Sequence, residues 1–118
     1  MSTNQPTTNI ELVPAATRVG FMGPHGTFTE QALLSQPDLA AADTRPFDSI
    51  PDVLNGLVTG EVDLGFVPIE NAIEGAVNVT QDALAFDLDP RIQREVVLDV
   101  QLNLLALPGT QLADIHTV

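Results

Sequence analysis

Arg18-Val-Gly-Phe-Met-Gly-Pro-His-Gly-Thr-Phe-Thr-Glu30 decides the fold of this chain. Its first five residues form an apolar run halted by Gly23-Pro24, which reads as a buried strand feeding a turn. Thr27-Phe-Thr-Glu30 has the spacing of a capping box, in which the threonine hydroxyl and the glutamate carboxylate satisfy free N–H groups at a helix start. A helix is expected from about Thr27, burying Phe28, Ala32 and Leu33 and stopping before Pro37. A buried strand that turns into a helix is the opening unit of an α/β sheet.

The alternation continues downstream. Residues 41–47 read as a second strand, which Pro46 confines to a sheet edge or to its own end. Ser49-Ile-Pro-Asp52 repeats the capping spacing, and Ile50, Val53, Leu54, Leu57 and Val58 then form one face of a helix that Gly60 closes. Asp63-Leu-Gly-Phe-Val67 is the third strand, ended by Pro68. After an irregular segment over 68–75, a third helix is expected from near Asn78, burying Val79, Ala83 and Phe86 and fading between Asp87 and Pro90. Apolar residues at 96, 98, 100, 102, 104 and 106 predict a half-buried strand over 95–107. That is about twice the usual strand length, which suits a segment that bends or passes between two subdomains. The order implies an open α/β sheet with parallel strands.

Residues 1–17 are polar and punctuated by Pro6 and Pro14, and they are expected to form a disordered tail. They have neither the basic start and apolar centre of a secretory signal nor the Arg-rich pattern of a transit peptide, so a cytoplasmic location is expected. With 118 residues, the chain fits one domain or part of a larger one, and 44% hydrophobic residues suffice for a core. Sixteen acidic residues face four arginines and no lysine, giving a net charge of −12. Nucleic acids and anionic membranes need a basic footprint, so both are excluded as partners. The acidic, Lys-free bias reads as background composition. The absence of Cys removes disulfides, thiolate metal sites and cysteine nucleophiles, and two histidines do not make a His-rich metal site. No apolar run approaches the roughly 20 residues of a membrane helix.

Ligands of open α/β sheets sit beyond the carboxyl ends of the strands, and two segments lie there. In Gly23-Pro-His-Gly-Thr-Phe28 the glycines permit close backbone approach, and the following helix offers N–H groups to an anion. A plain strand-to-helix turn is the equal alternative. Neither the P-loop pattern nor the dinucleotide fingerprint is present. In Pro68-Ile-Glu-Asn-Ala-Ile-Glu-Gly75, Asn71 can donate and accept hydrogen bonds. Glu70 and Glu74 would act in acid–base chemistry only with a raised pKa, and spacing alone favours solvated or capping carboxylates. His25 reads first as an exposed turn residue, and His116 says less still.

Taken together, Gly23-Pro-His-Gly-Thr-Phe-Thr-Glu30 and Val67-Pro-Ile-Glu-Asn-Ala-Ile-Glu-Gly-Ala-Val77 resemble two motifs of prephenate dehydratase. These are Gly-Pro-x-Gly-Thr-(Phe/Tyr)-(Ser/Thr)-Glu and Val-Pro-Ile-Glu-Asn-Ser-x-Glu-Gly-x-Val. Leu104-Leu-Ala-Leu-Pro-Gly109 is similar to the family's strand after the third helix, so the resemblance covers residues 18–118. It implies an α/β fold of two lobes, like a type II periplasmic binding protein, with mostly the first lobe present. Residues 18–95 would form most of that lobe, and 96–118 would begin the second. It also implies that the chain ends inside the catalytic domain. The family's Ser-His-Pro segment and its Thr-Arg-Phe motif, with the threonine regarded as essential, are expected beyond Val118. No catalytic residue is therefore assigned, and this chain alone is expected to be inactive.

The resemblance implies a lyase of L-phenylalanine biosynthesis. Prephenate would lose its ring hydroxyl as water and its ring carboxylate as carbon dioxide, giving phenylpyruvate. Aromatisation drives the reaction, so neither a redox cofactor nor a metal is implied. The protein must orient the leaving groups, protonate the departing hydroxyl and exclude water. Substrate binding would fall to Thr27, Phe28, Asn71, Ala72, Glu74 and Gly75, with Glu70 assigned to structure. Ala72 departs from the family's usual serine, and losing one such hydrogen bond costs about 1 kcal/mol. Phenylalanine is expected as allosteric effector, and a homo-oligomer as the state, of the full-length protein. The alternatives are a non-catalytic small-molecule-binding module of the same fold and a degenerate fragment. If the second lobe is missing, the alternating face over 96–106 has no partner, and poor solubility is expected.

Overall fold

A computed structural model of the protein describes residues 12–71, 75–87 and 90–118. β1, Arg18–Met22, is the central strand of a three-stranded sheet. It pairs in parallel with β2, Asp43–Phe47, on one side and with β3, Leu64–Phe66, on the other. Pro46 thus lies in an edge strand, where its missing N–H is tolerated.

Both faces of the sheet are covered, as parallel sheets require. Val19 and Phe21 of β1 point to one face and pack with Leu33 of α1 (Phe28–Leu34) and Leu39 of α2 (Pro37–Ala40). The sequence reading ended the first helix before Pro37, and it does end there. Pro37 then opens a short second helix, because a proline fits the first helical turn. Met22 points to the opposite face and packs on the cluster of Ile50 and Leu54 from α3 (Ile50–Thr59) and Ala83. On the same side α3 sits close over Gly65 of β3, where an added Cβ would lie 3.0 Å from Val53 Cγ1. As expected from spacing, Ser49 Oγ accepts the Asp52 N–H at 3.2 Å, and α3 closes on Gly60 in the left-handed conformation.

After β3 the chain forms a two-stranded antiparallel ribbon, β4 (Glu70–Asn71) and β5 (Gly75–Ala76). α4 (Asn78–Asp82) follows and widens into a π-helical turn over Ala83–Asp87.

Several expected core positions are corrected. Phe28, the first residue of α1, is 48% exposed, and the helix buries Ala32 and Leu33 instead. Val58 lies at the margin of the buried face of α3 and is exposed. In α4 the buried residue is Thr80, and Val79 is exposed. The phase of that helix is set by Ala83, which packs on Ile50 and Leu54, and by the Thr80 hydroxyl, which donates to the Pro68 carbonyl at 2.7 Å. Ala83 is buried as expected, whereas the Phe86 side chain lies outside what the structure describes.

The long strand expected over 95–107 does not form. Val97, Leu105 and Leu107 are 83%, 87% and 82% exposed. Neither open edge of the three-stranded sheet takes this segment, so its alternation has no ladder and no apolar surface to bury against. Residues 12–17, read from sequence as part of the tail, carry a turn closed by Thr17 N–H to Pro14 O at 3.0 Å. Val13 there packs against the core cluster of β1, α1 and α2. The rest of that expected tail, residues 1–11, lies outside the described residues.

Candidate functional site

β1 and β3 are adjacent and parallel, with Phe21 opposite Phe66, so the segments that leave their carboxyl ends emerge side by side. The first is the turn 23–27. Gly23 N–H donates to Phe47 O at 2.8 Å, which ties the start of this turn to β2. Gly26 has φ +89, a left-handed conformation that side chains rarely adopt. Thr27 is the N-cap of α1, and its Oγ1 accepts the Glu30 N–H at 3.2 Å.

The reciprocal half of the capping box is displaced by one residue. Glu30 reaches past Thr27 and accepts the Gly26 N–H at 2.8 Å, while its other oxygen pairs with His25 Nδ1. These two contacts, Gly26 first and His25 second, hold the Glu30 carboxyl below the usual carboxylate range. The anion seated in this turn is therefore the chain's own. The His25 ring also lies at 60° to the Phe21 ring with centroids 5.8 Å apart, though most of the His25 side chain is exposed. The sequence reading placed the T-x-x-E spacing correctly but missed this use of Glu30.

The second segment is the ribbon after β3. Asn71 and Gly75 are direct partners across β4 and β5, and Gly75 has φ +86, the left-handed region again. Val77 N–H donates to Ile69 O at 3.0 Å, Gln81 Nε2 to Ile69 O at 3.1 Å, and Thr80 Oγ1 to Pro68 O. The loop is thus held by Thr80 and Gln81 of α4 and by Val77 just before it. Glu70 and Asn71 are exposed. Ala72 and Glu74 lie outside the described residues.

The structure groups Thr27 with Phe28 on one turn and Asn71 with Gly75 on the other. It does not gather them into one cavity among the described residues. A shallow groove of about 540 Å³ runs along α1 and is lined by Gly26, Thr27, Glu30, Gln31, Leu34 and Ser35. Thr27 is the one expected site residue in that lining.

Three of the four arginines are committed elsewhere. Arg18 pairs with Asp63 at 2.8 Å, Arg45 with Asp43 at 2.8 Å and Arg94 with Asp38 at 2.8 Å. Arg18 donates to Asp63 through both its side chain and its backbone N–H, which draws the Asp63 carboxyl down to about 2. Among the described residues, no three His, Cys, Asp or Glu side chains cluster as metal ligands would, and no helix is long and apolar enough to cross a membrane.

Turns at the carboxyl ends of neighbouring parallel strands are where α/β proteins as a class bind their ligands. The structure is similar to the X-ray structure of prephenate dehydratase from Streptococcus mutans, with a TM-score of 0.57 and 34% identity. That match covers 62% of this chain and 38% of the other. It is also similar to prephenate dehydratase from Arthrobacter aurescens in complex with L-Phe, with a TM-score of 0.52 and 44% identity. There the coverage is 58% of this chain and 22% of the other. The fold is accordingly that of an α/β, periplasmic-binding-protein-like domain, present in part.

The prephenate dehydratase family model matches residues 19–118, and the chain belongs to that family. The enzyme of Mycobacterium leprae is 39% identical over 109 residues, covering 86% of this chain and 34% of its own length. That of Mycolicibacterium vanbaalenii is 39% identical over 113 residues, covering 85% and 36%. The chain thus spans about a third of the length of these relatives.

Proposed function

We propose that this chain is the first lobe of a prephenate dehydratase, the lyase that converts prephenate to phenylpyruvate in L-phenylalanine synthesis. The observation that carries the reading is the placement of its two motif segments at the carboxyl ends of the adjacent parallel strands β1 and β3. A ligand lying across that edge would meet both at once. Residues 18–95 belong to this lobe and 96–118 lead into a second, while 1–17 form its N-terminal extension. Thr27, Phe28, Asn71, Ala72, Glu74 and Gly75 form the lobe's share of the substrate site. The whole enzyme acts in the cytoplasm as a homo-oligomer and binds phenylalanine as an effector. The relative solved in complex with L-Phe supports that last point.

The electrostatics assign the two lobes different tasks. Prephenate carries two carboxylates, yet Glu30 already occupies the Gly26 N–H, and Arg18, Arg45 and Arg94 are each engaged by an aspartate. Arg91, the fourth arginine, lies outside both motif segments, so this lobe orients the substrate through neutral donors such as the Asn71 amide. Charge compensation and the proton for the departing hydroxyl come from the rest of the enzyme. The chain alone is expected to turn over no prephenate.

The test uses the complete gene product that contains this chain and follows the formation of phenylpyruvate. Asn71→Ala should lower kcat/KM by roughly tenfold or more, as expected for one hydrogen bond to a charged substrate. A parent protein without turnover, or an Asn71→Ala variant equal to it, overturns the assignment.

A further inference from the structure

Asp38 sits in α2, away from both motif segments. Its carboxylate takes both guanidinium nitrogens of Arg94, with Nη1 to Oδ1 at 2.9 Å and Nη2 to Oδ2 at 2.8 Å. The same Oδ2 accepts the Val13 N–H at 2.9 Å. The two charged side chains are only 12% and 13% exposed. A bidentate Arg–carboxylate pair with that degree of burial is geometrically specific, unlike a surface ion pair. Arg94 Nη1 also lies 3.4 Å from Gln36 Oε1, the residue that caps α2.

Three stretches far apart in sequence therefore meet on one carboxylate. Val13 belongs to the segment that leads into β1, Asp38 to the body of the lobe, and Arg94 to the segment that leaves it. Among the described residues, Arg94 is the one position after Pro90 that hydrogen-bonds to the lobe. The hydrogen bonds further on are local, such as Thr110 N–H to Leu107 O and Gln111 N–H to Asp114 Oδ2.

We propose that Asp38 is a conformational anchor that ties the incoming and outgoing segments of the lobe together and fixes Arg94 as the immobile end of a hinge. The connector is then held through Arg94 and moves only beyond it, from Glu95 onward. In a two-lobed protein the anchor sets where the second lobe departs, so it is a positioning element and touches no substrate. Because one oxygen serves both segments, loosening the carboxylate must free both together. Losing Arg94 frees only the outgoing one. The anchor concerns this chain's own residues and does not depend on the reaction assigned above.

NMR on the 118-residue chain tests it, with hydrogen exchange reading the Val13 N–H and backbone relaxation reading the order of 91–95. Asp38→Asn should speed exchange at the Val13 amide by roughly tenfold or more, the effect of losing a charge-assisted hydrogen bond, and should lower the backbone order of 91–95 in parallel. Arg94→Gln should release 91–95 and leave Val13 protected. The swap Asp38→Arg with Arg94→Asp should restore order to 91–95 but not protection to Val13. Unchanged protection of Val19 and Phe21 shows that the sheet is intact in each variant. Should a variant lose that too, the parent chain still decides: 91–95 must be more ordered than 97–107. The anchor is refuted if the parent shows no such boundary, or if Asp38→Asn leaves either segment unchanged in an intact lobe.

Discussion

Gly20, in the middle of β1, is where one added carbon tests the packing that supports the first motif turn. An ideal Cβ at this position would lie 2.7 Å from Phe47 Cε1, 3.2 Å from Phe47 Cδ1 and 3.3 Å from Val62 Cγ1. On its far edge the ring lies against Gly56 of α3, where an ideal Cβ would sit 3.3 Å from Phe47 Cζ. Gly20 and Gly56 thus form a slot for the Phe47 ring, and the Phe47 carbonyl holds Gly23 at the start of the turn. Gly20→Ala should overpack this slot at a cost of about 1–3 kcal/mol. The stiffer unfolded chain returns roughly 0.4–1 kcal/mol, leaving a net loss of about 1.3 kcal/mol at mid-range. For a lobe of this size each kcal/mol lowers Tm by about 4–8 °C. The chain has neither Trp nor Tyr, so far-ultraviolet circular dichroism is the suitable probe of melting. Phe47→Leu should destabilise the parent, yet cost much less once Gly20→Ala is present, because it empties the crowded slot. A variant that melts at or above the parent, or two substitutions whose effects add to within about 0.3–0.5 kcal/mol, refutes the slot.

Thr27→Ala removes the N-cap of α1 and should lower stability by about 1 kcal/mol, while Thr27→Ser should retain most of it, both measured by chemical denaturation. Acid acts through Asp63, whose carboxyl is drawn to about 2 by Arg18 in the folded lobe. Its stabilising share is therefore full above the unfolded-state value of about 3.9 and fades as pH falls toward the folded one. Asp63→Asn should flatten the stability profile across that window, and added salt should shrink the difference, since both partners are partly exposed. A parent whose stability does not change across the window contradicts the assignment.

The elements legible in the sequence are those written in short-range chemistry. Thr27 and Ser49 announce their helices because a cap acts on an N–H three residues ahead. Pro46 marks an edge strand because a missing N–H can be tolerated only there. The placement of the two motif segments is legible because the alternation of strand and helix puts them at carboxyl ends before any contact is known. The missed features depend on contacts across the chain. Nothing near Thr80 signals that its hydroxyl seeks the Pro68 carbonyl, and that bond turns the buried face of α4 by one residue. Arg94 and Asp38 lie 56 positions apart, and neither neighbourhood identifies the other. Glu30 is the intermediate case, since its spacing marks the cap while the fold of the turn sends its carboxylate on to Gly26 and His25.

Residues 96–107 show why periodicity describes a surface rather than a structure. Alternation states that one face of a segment must be buried, but a strand exists only when a neighbour accepts its hydrogen bonds. β1 has both neighbours, forms its ladder and buries Val19 and Phe21 fully. The segment after Arg94 has a comparable apolar pattern and no ladder, and Val97, Leu102, Leu105 and Leu107 remain in solvent. The contrast lies in what each meets in space, since both are rich in Val, Leu or Phe. An alternating segment left unpaired just beyond a partly buried ion pair is what a first lobe would present to a second. The Asp38 anchor would then hold its near end in place while the far end awaits a sheet to join.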